Sequence, residues 1–256
     1  MIKRVWAIAR NIYLEGLRQK IFTIAVIFAM LLIVLSMFLG PFSLGETSKI
    51  IRDFGLGVSS LLGIFIIVTI GSAILYRDLE RRTIYTIITR PIQPREIILG
   101  KFLGLCLLVF SITAAMAVIQ QLVILMFEGR LDLHILLAPF FGCFEIMIMT
   151  GIMLLLASYS SSTFSSIMTV IIYVVGHASL DLKVFTETVK MPMLKFLSSA
   201  AYYLLPNLEN FNLRLDVVYR QPLPADQIGY SVCYGLAYAI AVLYIAVIIF
   251  ERREFK

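Results

Sequence analysis

The apolar residues of this chain fall in long runs rather than in short periodic stripes. The runs at 21–40, 57–76, 102–127, 135–157, 164–180 and 229–250 have the length that a helix needs to cross about 30 Å of hydrocarbon. They predict an all-α, polytopic membrane protein with six transmembrane helices in one membrane domain over 1–256. Six crossings put both ends on the same face. Only the serine-rich stretch 158–163 separates the fourth run from the fifth, so it reads either as a tight turn or as a break in one long helix.

The polar residues give the orientation. Outside the runs, one face carries fourteen Lys and Arg and the other carries eight, and the basic excess marks the cytoplasmic side. Composition agrees with a membrane solvent: 60% of residues are hydrophobic, 15% are charged and mean hydropathy is +0.94. The net charge of +6 is accounted for by the cytoplasmic face, so nucleic acid is not an expected partner and the lipid bilayer is. Cys106, Cys143 and Cys233 lie inside apolar runs without metal-ligand spacing, which argues against a disulfide framework or a metal site. Residues 1–20 are amphipathic and the run after them has full-span length, so a retained first span is expected rather than a cleaved signal.

Three segments between the runs hold candidate chemistry. In 1–20, Ile2, Val5, Trp6, Ala9, Ile12, Tyr13 and Leu17 recur at helical spacing among Lys3, Arg4, Arg10, Arg18 and Lys20, which predicts a helix in the cytoplasmic interface. Loop 77–101 permits a short amphipathic helix ended by Pro91, followed by a second helix that starts near Pro94 and enters the third span. It is either a surface for another protein or a charge cluster that fixes topology. The outer segment 181–228 contains Pro192, Pro206, Pro222 and Pro224, and predicts short helices that dip into the outer leaflet or lie upon it.

Within the spans, Glu145 is the clear mid-membrane carboxylate, at a cost of roughly 2.5–3.5 kcal/mol on insertion scales. Ala138 and Gly142 on its face have the spacing for close helix packing, and Gln120 and Gln121 are expected at its depth as hydrogen-bond partners. Glu145 therefore either faces a transport pathway with these glutamines or is bonded inside the bundle. His177, one turn before Asp181, predicts a polar pair at the outer membrane edge. Gly100 and Gly104 read as helix packing.

Three stretches carry a family resemblance: "RNIYLEGLRQKIF" at 10–22, "ERRTIYTIITRPIQPREIILGKFLG" at 80–104 and "YYLLPNLENFN" at 202–212. With the six-span layout, they resemble the permease subunits of ABC-2-type transporters, in particular the NosY-like branch. The resemblance implies an exporter of the bacterial cytoplasmic (inner) membrane whose pathway is formed by two permease chains, as a homo- or heterodimer. Two copies of a separate cytoplasmic ABC ATPase would drive it and bind the ATP and Mg, the permease itself holding no cofactor. An extracytoplasmic accessory protein is a further partner it allows.

By position, the resemblance implies ATPase coupling through Glu80, Arg82, Thr83, Arg90, Pro91, Arg95, Gly100 and Lys101. Relatives commonly carry glycine before that threonine, where Arg82 stands here. The N-terminal helix, with Trp6, Arg10, Tyr13 and Arg18, would dock beside the same ATPase, and Tyr203, Pro206 and Asn207 would belong to an outer gate. The chain has no G-x-x-x-x-G-K-[ST] loop, so the energy comes from another polypeptide. Two other classes fit the residues less well. An intramembrane enzyme needs a nucleophile with a base or a His-rich metal site, and only His134 and His177 are available. An ion-coupled carrier using Glu145 would show internal repeats with broken helices, and the halves show none.

Overall fold

The computed structural model describes residues 1–18, 20–39, 47–74, 93–189 and 191–252. Its elements are α1 (Ile2–Arg18), α2 (Lys20–Leu39), α3 (Thr47–Ile66), α4 (Pro94–Glu128), α5 (Leu137–Tyr159), α6 (Ser162–His177), α7 (Ser179–Thr188), α8 (Pro192–Leu204), α9 (Arg214–Val218) and α10 (Ala225–Arg252). Short 3-10 turns at Leu133–Leu136 and Leu208–Phe211 precede α5 and α9. Among the described residues, the stretches Ser48–Ile74, Pro94–Met126, Leu133–Tyr159 and Asp226–Arg252 are long and apolar enough to cross a membrane. The bent pair α6–α7 makes a fifth if it counts as one crossing. α2 covers the first expected run with twenty residues.

α3 starts at Thr47, ten residues before the expected span, so most of the expected loop 41–56 is helix. The reason is pairing: Arg52 and Asp53 find opposite charges on other elements, which removes the penalty of placing them on a packed helix. α3 then widens into a π turn at Ile67–Gly71, where Thr69 and Ser72 donate back to the carbonyls of Phe65 and Val68 at 2.7 and 2.8 Å. Ser166 of α6 also donates to the Val68 carbonyl, at 3.3 Å.

α4 begins where Pro94 predicts, at the first helical position, and is closed by a reciprocal capping box of Gln93 and Glu96. It ends at Gly129, whose φ of 67° suits glycine. α5 and α6 are separated by a tight turn, Ser161 capping α6 by accepting from the Phe164 N–H. The serine-rich stretch is therefore a turn and not a break in one helix.

α6 has only sixteen residues before a 68° bend into α7. At about 1.5 Å per residue it rises roughly 24 Å, short of the core thickness. α7 and α8 then form a hairpin joined by the Thr186–Ser198 hydroxyl bond at 2.8 Å. The core sits among α3, α4, α5 and α10, with Ile66, Leu105, Leu108, Met153 and Ala246 fully buried. α6 and α10 leave Phe164, Ile167, Ile240 and Tyr244 exposed, as helices do whose other solvent is lipid.

Candidate functional site

Two polar assemblies and one helix clamp account for the functional positions. The first assembly is buried at mid-length of the bundle. Glu145 sits fourteen residues before the end of α5, and His177 lies fifteen residues after the start of α6, so the two helices bring them level. His177 Nε2 is 3.2 Å from Glu145 Oε1, and its Nδ1 is 3.4 Å from Glu209 Oε2 in the 208–211 turn. Glu209 also accepts from Asn212 at 3.0 Å. Tyr173, one turn before His177, stands edge-on to the imidazole at 4.7 Å and bonds Ser60 of α3 at 2.9 Å.

Ser60, Glu145, Tyr173, His177 and Asn212 line a cavity of about 70 Å³ together with Thr113 and Arg214. A neutral imidazole has one N–H, so serving both carboxylates takes one further proton on the ring or on a carboxyl. The 181–228 segment thus reaches α5, where Phe211 also stacks on Phe144 at 6.3 Å. Gly176 permits the approach, since a Cβ there would meet Leu208 Cγ at 2.7 Å and the Pro206 carbonyl at 2.9 Å.

This corrects three sequence expectations. His177 does not pair with Asp181, which is exposed on α7; the end of α6 sets it against Glu145 and Glu209 instead. Gln120 and Gln121 do not reach Glu145: Gln120 donates to the Arg52 carbonyl at 3.0 Å, and Gln121 exchanges bonds with the Asp132 backbone at 2.6 and 3.3 Å. Gly142 is not a packing contact, because it lines the cavity and a Cβ there would touch nothing within 4 Å.

The second assembly is an ionic layer at the end of the bundle where α3 begins and α4 ends. Arg52 is 2.8 Å from Glu128 and 2.9 Å from Asp132, and Arg220 is 2.9 Å from the same Asp132 oxygen. Ser48 adds a hydrogen bond to Glu128. Burial alone would push the Asp132 carboxyl up; the Arg220 hydrogen bond, the charges of Arg52 and Arg220 and the His134 N–H outweigh it and hold the group below the ordinary aspartate range. Arg214 of α9 clasps Asp53 with two bonds, one of 2.7 Å, while lying over Gly57.

The clamp joins α1 to α4. Val5, Ala9, Ile12 and Gly16 are the buried face of α1, and Trp6, Arg10 and Arg18 are exposed, with Tyr13 half-buried. The apolar positions therefore split between two faces rather than forming the single stripe expected. A Cβ at Gly100 would meet Ile8 Cβ at 2.6 Å, and one at Gly104 would meet the Ala9 carbonyl at 2.7 Å. At the far end Gly16 faces Leu108. The Gly100–Gly104 spacing is helix packing, and Arg4 adds a 3.7 Å ion pair to Glu96.

Lys101, fully buried on α4, donates to the carbonyl of Ile74, one turn beyond the π turn that follows α3, at 3.4 Å. Arg95 is exposed beside Gln93, its acceptor. Glu80, Arg82, Thr83, Arg90 and Pro91, with the amphipathic helix expected there, lie outside the described residues. Of the outer-gate positions, Pro206 is buried and Asn207 is held by Tyr234 at 2.9 Å and Ser179 at 2.6 Å, whereas Tyr203 is exposed away from both.

Residues 17–179, more than half of the chain, match the family model described as ABC-2 family transporter protein. The chain belongs to the ABC-2 transporter family. It is a multi-pass, non-catalytic membrane component of such a transporter, in a family that works with a partner ATPase. No curated protein matches the chain. The family match covers α2 through α6 and therefore Glu145 and His177, but not Glu209. Glu209, Arg52 and Asp132 are positions that the sequence reading missed. The signal available was their presence in or beside apolar stretches, where a charge needs a partner.

Proposed function

We propose that this ABC-2 component is a NosY-like exporter permease of the bacterial cytoplasmic membrane, with six crossings and both ends in the cytoplasm. Two permease chains enclose the pathway, and two copies of a cytoplasmic ATPase drive it. An accessory protein outside the membrane completes the set of partners. The sixth crossing is α2, a largely apolar helix whose twenty residues match the bilayer core in length.

The observation that carries this reading is the clamp at the cytoplasmic end. The loop expected to couple to the ATPase leads into α4, and Lys101, two turns into α4, reaches the Ile74 carbonyl of the helical stretch that precedes the loop. α1 is locked to the same part of α4 at Gly100 and Gly104. A motor that grips Glu80, Thr83 and the Arg90–Pro91 step would move three helices together, which is what transmission from a cytoplasmic ATPase requires. The bond to His177 supports an internal bracing role for Glu145, and those of Gln120 and Gln121 support the same for them, in place of contact with the cargo. Asn207 and Pro206 anchor the outer segment that would close the pathway.

The test is site-directed cross-linking in intact membranes. Cysteines replacing Glu80 or Thr83 are expected to capture a nucleotide-hydrolysing subunit, and reagents confined to the exterior are expected to leave them unmodified. Full transport by the chain alone under an ion gradient would instead assign it to the ion-coupled carriers.

A further inference from the structure

A groove of about 740 Å³ runs between α1 and α4, beside the clamp and one to two turns beyond Gly104 along α4. Trp6, Arg10 and Tyr13 form its α1 wall, spaced at i, i+4 and i+7 on one helical face. Leu107, Phe110 and Ser111 form its α4 wall. Arg10 is exposed and, among the described residues, has no carboxylate partner. Trp6 is 56% exposed although it is the one tryptophan of the chain.

The depth of the groove follows from α4. Glu128 lies in the ionic layer at one end, and twenty residues at about 1.5 Å each span roughly 30 Å of hydrocarbon and arrive at Leu108. Leu107 and Phe110 therefore stand where acyl chains begin. Ala9 and Ile12 pack on Gly104, four residues before Leu108 on α4, so Arg10 between them lies about 6 Å beyond the hydrocarbon, in the headgroup layer. A guanidinium between two amphipathic aromatics, above an apolar wall at acyl depth, matches one occupant in charge and in shape.

We propose that this groove is a binding site for a phospholipid with an anionic headgroup. The phosphate accepts from the Arg10 guanidinium between Trp6 and Tyr13, and one acyl chain lies along Leu107 and Phe110. The proposal rests on the crossing and orientation given above for α4, which place the groove in the cytoplasmic leaflet, where basic residues meet anionic lipid.

Trp6 supplies the readout. The full chain is reconstituted in phosphatidylcholine vesicles containing a minor fraction of acyl-brominated phosphatidylglycerol, or of brominated phosphatidylcholine as the neutral control. Trp6 emission is expected to be quenched by the anionic lipid at about tenfold lower mole fraction than by the neutral one, the size of one charge-assisted contact. Arg10→Gln removes that preference and Arg10→Lys restores part of it. Arg18→Gln, an exposed basic position outside the groove, keeps it. Equal quenching by the two lipids overturns the site, and so does an Arg18→Gln loss as large as that of Arg10→Gln. A groove shielded from both lipids, with Leu107→Cys forming disulfide-linked pairs of chains, assigns it to a second copy instead. ATPase capture from positions 80 and 83 is read separately, so failure of the lipid site leaves the transport assignment standing, and the converse holds.

Discussion

His177 Nε2 lies 3.2 Å from Glu145 Oε1, and this contact joins α6 to α5. The other imidazole nitrogen faces Glu209, so one side chain on α6 ties α5 to the 208–211 turn. Replacing His177 with Ala leaves Glu145 without its hydrogen-bond partner and is expected to destabilise the chain by about 1–3 kcal/mol. Glu145→Gln keeps shape and one hydrogen bond and is expected to have a smaller effect. Thermal unfolding in detergent reads both, and a double-mutant cycle isolates the coupling. A His177→Ala chain as stable as the parent would mean that the contact does not brace the turn.

Arg52 holds two carboxylates at once. It is 5% exposed, and its removal leaves Glu128 and Asp132 facing each other with less compensation. Arg52→Met is expected to lower stability by on the order of 3–5 kcal/mol, as breaking one side of a buried ion pair does. Arg130→Met is the control: its partner is the same Glu128, but its side chain is 69% exposed, and little change is expected. Chemical denaturation of both variants in the same detergent compares them directly.

The ionic layer also sets an acid limit. Asp132 is held below the ordinary aspartate range by its arginine partners, so its contribution to stability is fully present above that range. It is lost as pH falls through the depressed value. Unfolding midpoints are expected to stay level through neutral pH and to drop in acid below about pH 4. Asp132→Asn is expected to be less stable at neutral pH and to lack its share of the acid decline, which a pH series of melts would show.

Gly104 and Gly63 make a matched pair for the clamp. A Cβ at Gly104 meets the backbone carbonyl of Ala9 at 2.7 Å, which can yield only if α1 moves, whereas at Gly63 the nearest atom is 3.8 Å away. Gly104→Ala is expected to cost about 1–3 kcal/mol by overpacking and to expose α1 to protease. Gly63→Ala is expected to be tolerated. Limited proteolysis of both variants measures the release of α1 from α4.

Much of the architecture was legible in the residues, and the failures cluster at helix ends. Pro94 announced the start of α4, because proline suits the first helical position, whereas the Gln93–Glu96 box that caps it emerged only with the structure. Gly100 and Gly104 announced a close crossing, although not which helix fills it. The start of α3 at Thr47 was hidden, since Arg52 and Asp53 look like loop residues until Glu128, Asp132 and Arg214 are brought beside them. His177 was mispaired for a related reason: the apolar run 164–180 continues beyond the residue where the helix bends.

The sequence by itself determined that this chain is a bundle of membrane-crossing helices, since hydrocarbon tolerates only backbone whose hydrogen bonds close within the segment, and run length alone shows that. Only the tertiary structure decided which polar group answers which, Glu145 with His177 and Glu209 rather than with Gln120 or Gln121. Side-chain pairing depends on the relative depth of residues on different helices. That depth is set by where each helix ends and bends, and no local pattern encodes it.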